Sequence, residues 1–252
     1  MTRVSPSSAE RFARRERAGR VRRLRVPLIL AGVVLLAVAV GWAVWFSSLA
    51  DARSVPVGGL GSGDAGLTAA QVRQEARVPI GEPLARVDLA AVRDRVERLP
   101  GVRSAEVSRG WPHDVVIDVT ERSAVVAWRD GSTVRLVDRS GVAFRTVPRV
   151  PERLGALVVP SDSGDRNRAL LAAGARVAGT LPDRIADRVE LIAVQSRDAI
   201  RLRLAGDVTV MWGSAAESGR KAEVLLALLP REKKMYDVSV PDFPTVQAAD
   251  AA

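Results

Sequence analysis

The chain has 252 residues, a formal charge of +9, a single histidine and no cysteine. The missing thiols exclude disulfides, thiolate nucleophiles and cysteine-based zinc sites, one histidine cannot build a histidine-rich metal centre, and no cofactor is expected. Nor does the charge point to nucleic acid: residues 1–26 hold nine Arg and two Glu, net +7, which leaves residues 47–252 at only +2, from 29 Lys+Arg against 27 Asp+Glu.

The basic residues 1–26 lack hydrophobic periodicity and read as a disordered tail. Residues 27–46, PLILAGVVLLAVAVGWAVWF, then run for twenty positions without a charge. A helix of that length covers the roughly 30 Å hydrocarbon core of a bilayer. It is too long for the apolar part of an ordinary cleaved signal peptide. Trp42, Trp45 and Phe46 gather at its C-terminal end, where amphipathic rings suit the headgroup level. Only Asp51 and Arg53 follow closely, so the positive-inside bias puts the tail in the cytoplasm and residues 47–252 outside, the single-pass type II arrangement in the cell membrane.

Val55-Pro56-Val57 reads as a short edge strand, and 58–66, GGLGSGDAG, as a flexible loop. Thr68 and Gln71 have capping-box spacing for a helix that Pro79, Gly81 and Pro83 end. A second helix starts after Asp88, carries Leu89, Val92, Val96 and Leu99 on one stripe, and stops at Pro100-Gly101. Strands follow at 102–109 and 115–120, joined by a turn at Trp111-Pro112-His113-Asp114, with Val115, Ile117 and Val119 on one face. The order β-α-α-β-β predicts helices on one face of a small sheet.

From Ser123 the texture changes to short strands, predicted at 125–128, 134–137, 142–144, 189–195, 199–204, 207–212 and 235–240, with helices at 166–181 and 216–229. Residues 242–252 read as a loose tail. The fold class is thus α+β: a membrane helix, a small α/β domain, and a mainly antiparallel β-domain with two or more packed helices.

Chemical motifs are few. Gly61-Ser-Gly63-Asp-Ala-Gly66 fits GxGxxG but lacks the βαβ context that makes it a dinucleotide site. Ser218-Gly-Arg-Lys221 fits SxxK, the nucleophile motif of penicillin-binding proteins, without the accompanying SDN and KTG elements. Ser218 reads instead as the start of a helix, and His113-Asp114 as turn residues. The last strand could leave one edge unpaired, a template for strand addition by a partner.

Taken together, Val87-Asp88-Leu89, Leu99-Pro100-Gly101-Val102, Val107-Ser108-Arg109-Gly110-Trp111-Pro112 and Ile117-Asp118-Val119-Thr120-Glu121-Arg122 resemble the POTRA domain of the bacterial cell-division FtsQ (DivIB) family. Leu136-Val137-Asp138-Arg-Ser-Gly141 and Tyr236-Asp237-Val238-Ser239-Val240-Pro241 resemble its β-domain. The chain departs from the family pattern at Ala124, where proline is usual, and in the glycine-rich insert after Pro56. The resemblance implies a cytoplasmic tail (1–26), a transmembrane helix (27–46), a POTRA domain (52–122), a β-domain (123–241) and a flexible end (242–252), from a high-GC actinobacterium-like source. It also implies a non-enzymatic scaffold of the division septum that takes neither small-molecule substrate nor nucleic acid. Its partners would be small bitopic proteins of the FtsB/FtsL kind, and also proteins of the FtsW/FtsI kind. On this chain the partner-binding residues would be Tyr236, Asp237, Val238, Ser239 and Val240, while Arg109, Trp111 and Pro112 would be structural. The other classes open to such a sequence are a membrane-anchored cell-wall enzyme, hinted at by SxxK, and a POTRA protein of outer-membrane assembly or secretion, which would carry repeated POTRA modules and a barrel.

Overall fold

A computed structural model describes residues 27, 29–39, 41–42, 50–61, 63–160, 166–231 and 233–247. Residues 29–39 are helical, and Ile29, Leu30, Leu35 and Leu36 are exposed along them. Among the described residues no helix is long and apolar enough to cross a membrane. The basic tail and positions 28, 40 and 43–46 of the expected 27–46 span lie outside those residues.

The chain divides into two compact units. The first combines the described part of Met1–Pro56 with Val78–Asp88 and Ser108–Val116. Main-chain bonds stitch it: Ala52 donates to the Glu82 carbonyl at 2.9 Å, Arg53 to that of His113 at 2.8 Å, and Val115 to that of Ser54 at 3.0 Å. Arg109 fastens the 3-10 turn Leu84–Arg86, its Nε donating to the Leu84 carbonyl (2.8 Å) and its Nη2 to that of Val87 (2.9 Å). Leu84 and Val87 are buried there. The structural role expected for Arg109 is therefore visible as hydrogen bonds, each of a charged donor and so of the stronger class. Trp111, in the following turn, is exposed.

The second unit combines Val57–Arg77, Leu89–Val107 and Ile117–Ala252. Its first helix, α1 (Ala69–Ala76), begins with the expected capping box: Gln71 N–H donates to Thr68 Oγ1 (3.2 Å) and Thr68 N–H donates to Gln71 Oε1 (2.9 Å). Helix α2 (Leu89–Val96) starts directly after Asp88 and buries Val92 and Val96 from the predicted stripe. Strands β1 (Val57–Gly58), β2 (Val102–Gly110) and β3 (Asp114–Glu121) form a three-stranded sheet in the order β1-β3-β2, with β1 parallel to β3. The β-α-α-β-β order is realised, and Val115, Ile117 and Val119 are all buried.

A nine-stranded sheet follows, built from β4 (Ala124–Asp130), β5 (Thr133–Asp138), β6 (Ala143–Val147), β7 (Ala156–Val158), β8 (Val189–Ser196), β9 (Ala199–Leu204), β10 (Val208–Gly213), β11 (Met235–Asp237) and β12 (Thr245–Gln247). Its order is β12-β11-β10-β9-β8-β7-β4-β5-β6. The predicted meander is β8-β9-β10, antiparallel throughout. In β9 the alternation is complete: Ile200, Leu202 and Leu204 are buried while Arg201 and Arg203 face solvent. A helix supplies the crossover in two of the sheet's parallel pairs, while the parallel β4 and β7 are connected through β5 and β6. Helix α3 (Arg166–Ala178), followed by the short α4 (Asp183–Ala186), lies between the parallel neighbours β7 and β8. Helix α5 (Ser218–Leu228) likewise joins the parallel β10 and β11.

The main core holds Leu157, Ile192, Ile200, Leu202, Trp212, Leu225 and Tyr236, all essentially inaccessible. At about 1.5–3 kcal/mol per buried large apolar side chain, this cluster is what fixes the sheet's last strands in place. Gly141 shows how closely helix and sheet meet. Its φ is +85°, and a Cβ there would lie 2.5 Å from the Cα of Ala172 in α3. Two short strands are absent from the predicted set, β7 and β12, and the last predicted strand, 235–240, stops at Asp237.

Candidate partner-binding edge

Strand β11 occupies a groove prepared by the preceding helix and strand. Tyr236 is fully buried, and its hydroxyl accepts from Lys233 N–H at 2.9 Å and lies 3.4 Å from the Leu229 carbonyl. Val238 is fully buried too, and its N–H donates to the Met211 carbonyl of β10 at 3.0 Å. Strand backbones alternate the edge to which they present N–H and C=O. With Val238 bonded to β10, Tyr236 also turns to β10, and Met235 and Asp237 present their polar groups to the opposite edge.

After Asp237 the chain bends. Ser239 N–H donates to Asp237 Oδ1 at 2.9 Å, the Asx pattern that turns a backbone away from a ladder. Ser239 then crosses Gly213 so closely that a Cβ on the glycine, whose φ is +73°, would lie 2.8 Å from the serine Cβ. Val240 is 53% exposed, and its carbonyl accepts from Phe243 N–H at 3.0 Å.

The five residues expected to bind a partner therefore divide. Tyr236 and Val238 spend side chain and backbone inside the domain, whereas Asp237 offers backbone to the outer edge and Val240 offers an apolar side chain to solvent. The outer edge carries a strand of the chain itself. Strand β12 pairs antiparallel with β11, Met235 opposite Gln247, Tyr236 opposite Val246 and Asp237 opposite Thr245. Sequence reasoning left these last residues as a tail because three positions behind Pro244 are too few to show a period. The only signal is the β-branched pair Thr245-Val246. Beside the start of β11 a cavity of about 300 Å³ opens among Arg188, Lys233, Lys234, Val208 and Tyr236. Lys234 Nζ also donates to the Gly206 carbonyl at 2.7 Å.

The residues of the motifs that suggested chemistry are engaged in hydrogen bonds within the fold. Ser218 is 6% exposed, and its Oγ accepts from Trp212 Nε1 (3.1 Å) while donating to the Ala215 carbonyl (3.0 Å). Lys221, 2% exposed, donates to the Ser214 carbonyl at 2.9 Å. Burial lowers the Lys221 ammonium's pKa, against the opposing pull of Glu217. Ser54 Oγ donates to Asp114 Oδ1 at 2.6 Å, and His113 Nδ1 lies 3.1 Å from the Asp51 carbonyl, so serine and histidine here bond to different groups. The glycine-rich loop is anchored through Asp64, whose carboxylate accepts from Ala124 N–H (2.8 Å) and Arg153, and whose carbonyl accepts from Arg145 Nη1 (2.8 Å).

Comparison with known proteins shows the family. The family model described as "POTRA domain, FtsQ-type" matches residues 62–122, and "Cell division protein FtsQ/DivIB, C-terminal" matches residues 126–245. The cell division protein FtsQ of Streptomyces coelicolor is 38% identical, over 96% of this chain and 98% of that one. The protein of the same name from Mycobacteroides abscessus is 34% identical, over 91% of this chain and 72% of its own length. A solved extracytoplasmic domain of DivIB from Geobacillus stearothermophilus aligns at a TM-score of 0.35 and 16% identity, over 46% of this chain and 99% of that one. On the strength of the sequence matches, which run nearly end to end, the chain belongs to the FtsQ/DivIB family of cell division proteins.

Proposed function

We propose that this protein serves cell division as a non-catalytic scaffold, and that it holds small bitopic partners of the FtsB/FtsL kind at the terminal edge of its larger sheet. The observation that carries the cell-division role is the 38% identity to a cell division protein FtsQ across 96% of the chain. The partner reading is supported by a sheet that ends in short strands, which suits main-chain pairing with an extended segment. In this reading residues 27–46 anchor the chain in the cell membrane, residues 1–26 stay cytoplasmic, and the POTRA domain (52–122) and β-domain (123–241) act outside, at the septum. The apolar side chains exposed along residues 29–39 suit that anchor. The cationic groups around the cavity beside β11 suit acidic side chains on the partner.

The test is photo-crosslinking in membranes of the native host, with the crosslinking side chain at Val240 or, as a control, at Ile80, which is 59% exposed. Crosslinks from position 240 to an FtsB- or FtsL-like protein, and none from position 80, are expected. Crosslinks from position 80 alone would move the partner site off the sheet edge.

A further inference from the structure

Residues 50–54 bring the chain into the first compact unit from the segment read above as a membrane anchor, a reading on which this inference rests. Two loops clasp these entry residues. From one, Gly81 N–H donates to the Ala52 carbonyl (2.9 Å), and Ala52 N–H donates back to the Glu82 carbonyl (2.9 Å). From the other, the His113 carbonyl accepts from Arg53 N–H (2.8 Å), and Ser54 is bridged to Asp114. Next to these contacts stand Ile80, 59% exposed, and Trp111, 55% exposed. Single apolar side chains in solvent are ordinary on a protein surface. These two are distinguished by what their loops hold.

The covalent chain limits how far the loops can lie from the lipid. Position 52 is six residues beyond Phe46, the end of the apolar run, so at full extension about 21 Å separates them. The polar headgroup layer itself takes up about 5–7 Å on each side of the hydrocarbon. Both loops are therefore tethered close to the bilayer surface. Charge does not draw them there: residues 50–56, 78–88 and 108–116 hold three Arg against four Asp or Glu. Any contact with lipid must be made by apolar side chains.

We infer that Ile80 and Trp111 form a membrane-docking surface, both side chains entering the outer headgroup layer of the bilayer that holds the anchor. A tryptophan suits that level, since its ring is apolar while its Nε1–H can bond to headgroup oxygens. Ile80 adds apolar area without a polar group to satisfy. Two side chains suffice because the tether presents them to the lipid at a high effective concentration. Docking holds the first unit at the membrane surface instead of leaving it to swing on its connection.

The chain lacks cysteine, so one nitroxide label can be placed at will. The full chain is reconstituted in phosphatidylcholine vesicles with the label on Glu82→Cys, an exposed neighbour of Ile80, or on Leu36→Cys within the apolar run. Collisions with oxygen and with a polar nickel chelate read the depth. The label at 82 should report headgroup depth, in low and in high salt alike. Ile80→Ser combined with Trp111→Ser should shift it to the water-like reading, whereas Trp111→Phe, which keeps an apolar ring, should leave it in place. A water-like label at 82 without those substitutions, with position 36 at lipid depth, overturns the docking and leaves the anchor standing. A reading at 82 that the double serine variant does not move overturns it too, since other groups would then hold the loop at the surface. Loss of depth in high salt would make the contact electrostatic and overturn the apolar surface. A water-like label at 36 counts against the anchor reading itself, and the docking falls with it.

Discussion

Asp138 gathers more hydrogen bonds than any turn needs. Its Oδ1 accepts from Ser140 N–H (2.9 Å), Ser140 Oγ (2.6 Å) and Val142 N–H (3.0 Å), and its Oδ2 accepts from Arg122 Nη1 at 2.5 Å. Burial by itself raises the carboxyl's pKa, but the bonds from Ser140 and Val142 and the adjacent Arg122 guanidinium outweigh it, so the value falls below the ordinary one. A carboxylate with a depressed folded pKa adds stability that is complete above its unfolded pKa of about 3.9 and disappears as pH falls through the folded value. Asp138→Asn should therefore cost about 2 kcal/mol at neutral pH, within the range for hydrogen bonds to a charged group. The gap from wild type should narrow below about pH 4. Urea unfolding at pH 7 and at pH 3 measures both, and an equal gap at the two values would refute the assignment. The turn was legible in Asp138-Arg-Ser-Gly141, because an Asp followed by Gly has turn chemistry of its own. Its pairing with Arg122 was not, since nothing local links two residues sixteen positions apart.

Among the elements, strand ends decide which substitutions report on binding and which on folding. Val238 N–H faces β10, so Val238→Pro breaks an internal bond at a fully buried position, at a cost of about 3 kcal/mol or more. Its expected signature is a lower Tm with partner capture lost only in step with unfolding. Val240→Asp should do the reverse, leaving stability within about 0.5 kcal/mol as exposed positions usually do while reducing capture. Thermal melts and capture on the same preparations separate the two; a Val240→Asp protein that captures normally would remove Val240 from the contact surface. Elements with a full period were legible, as in Ile200, Leu202 and Leu204 or in the capping box at Thr68 and Gln71. The strands β7 and β12, three residues each, were not, because pairing with neighbours distant in sequence, not local pattern, makes them strands. The sheet's terminal edge was half legible for the same reason: the sequence marked β11, and only the sheet order reveals that β12 lies against it.

At the scale of the whole molecule, two departures from the family pattern meet in one hydrogen bond. The chain has alanine where the family pattern places proline, and it carries a glycine-rich insert after Pro56. Ala124 N–H, a donor that proline would lack, is given to Asp64 Oδ2 of that insert at 2.8 Å. The same insert is held by Arg145 and Arg153 from the larger domain, while Arg122 reaches back to the Pro100 carbonyl at 3.1 Å. Residues 123–125 are all that separates the two family matches, so these bonds stiffen a junction the covalent chain alone would leave hinged. The Ala124 N–H and the Asp64 carboxylate are then the two ends of one bond across the junction. Asp64→Ala and Ala124→Pro should each cost about 1.5–3 kcal/mol, the range for losing one charge-assisted bond. Because Asp64→Ala also loses Arg153, it should be the larger of the two. The double variant should be no less stable than Asp64→Ala, since coupled partners are not additive. Both single variants should make residues 58–66 more sensitive to limited proteolysis. Additive losses in the double variant would mean that Ala124 and Asp64 act independently, and that the alanine answers some other demand of the strand it begins.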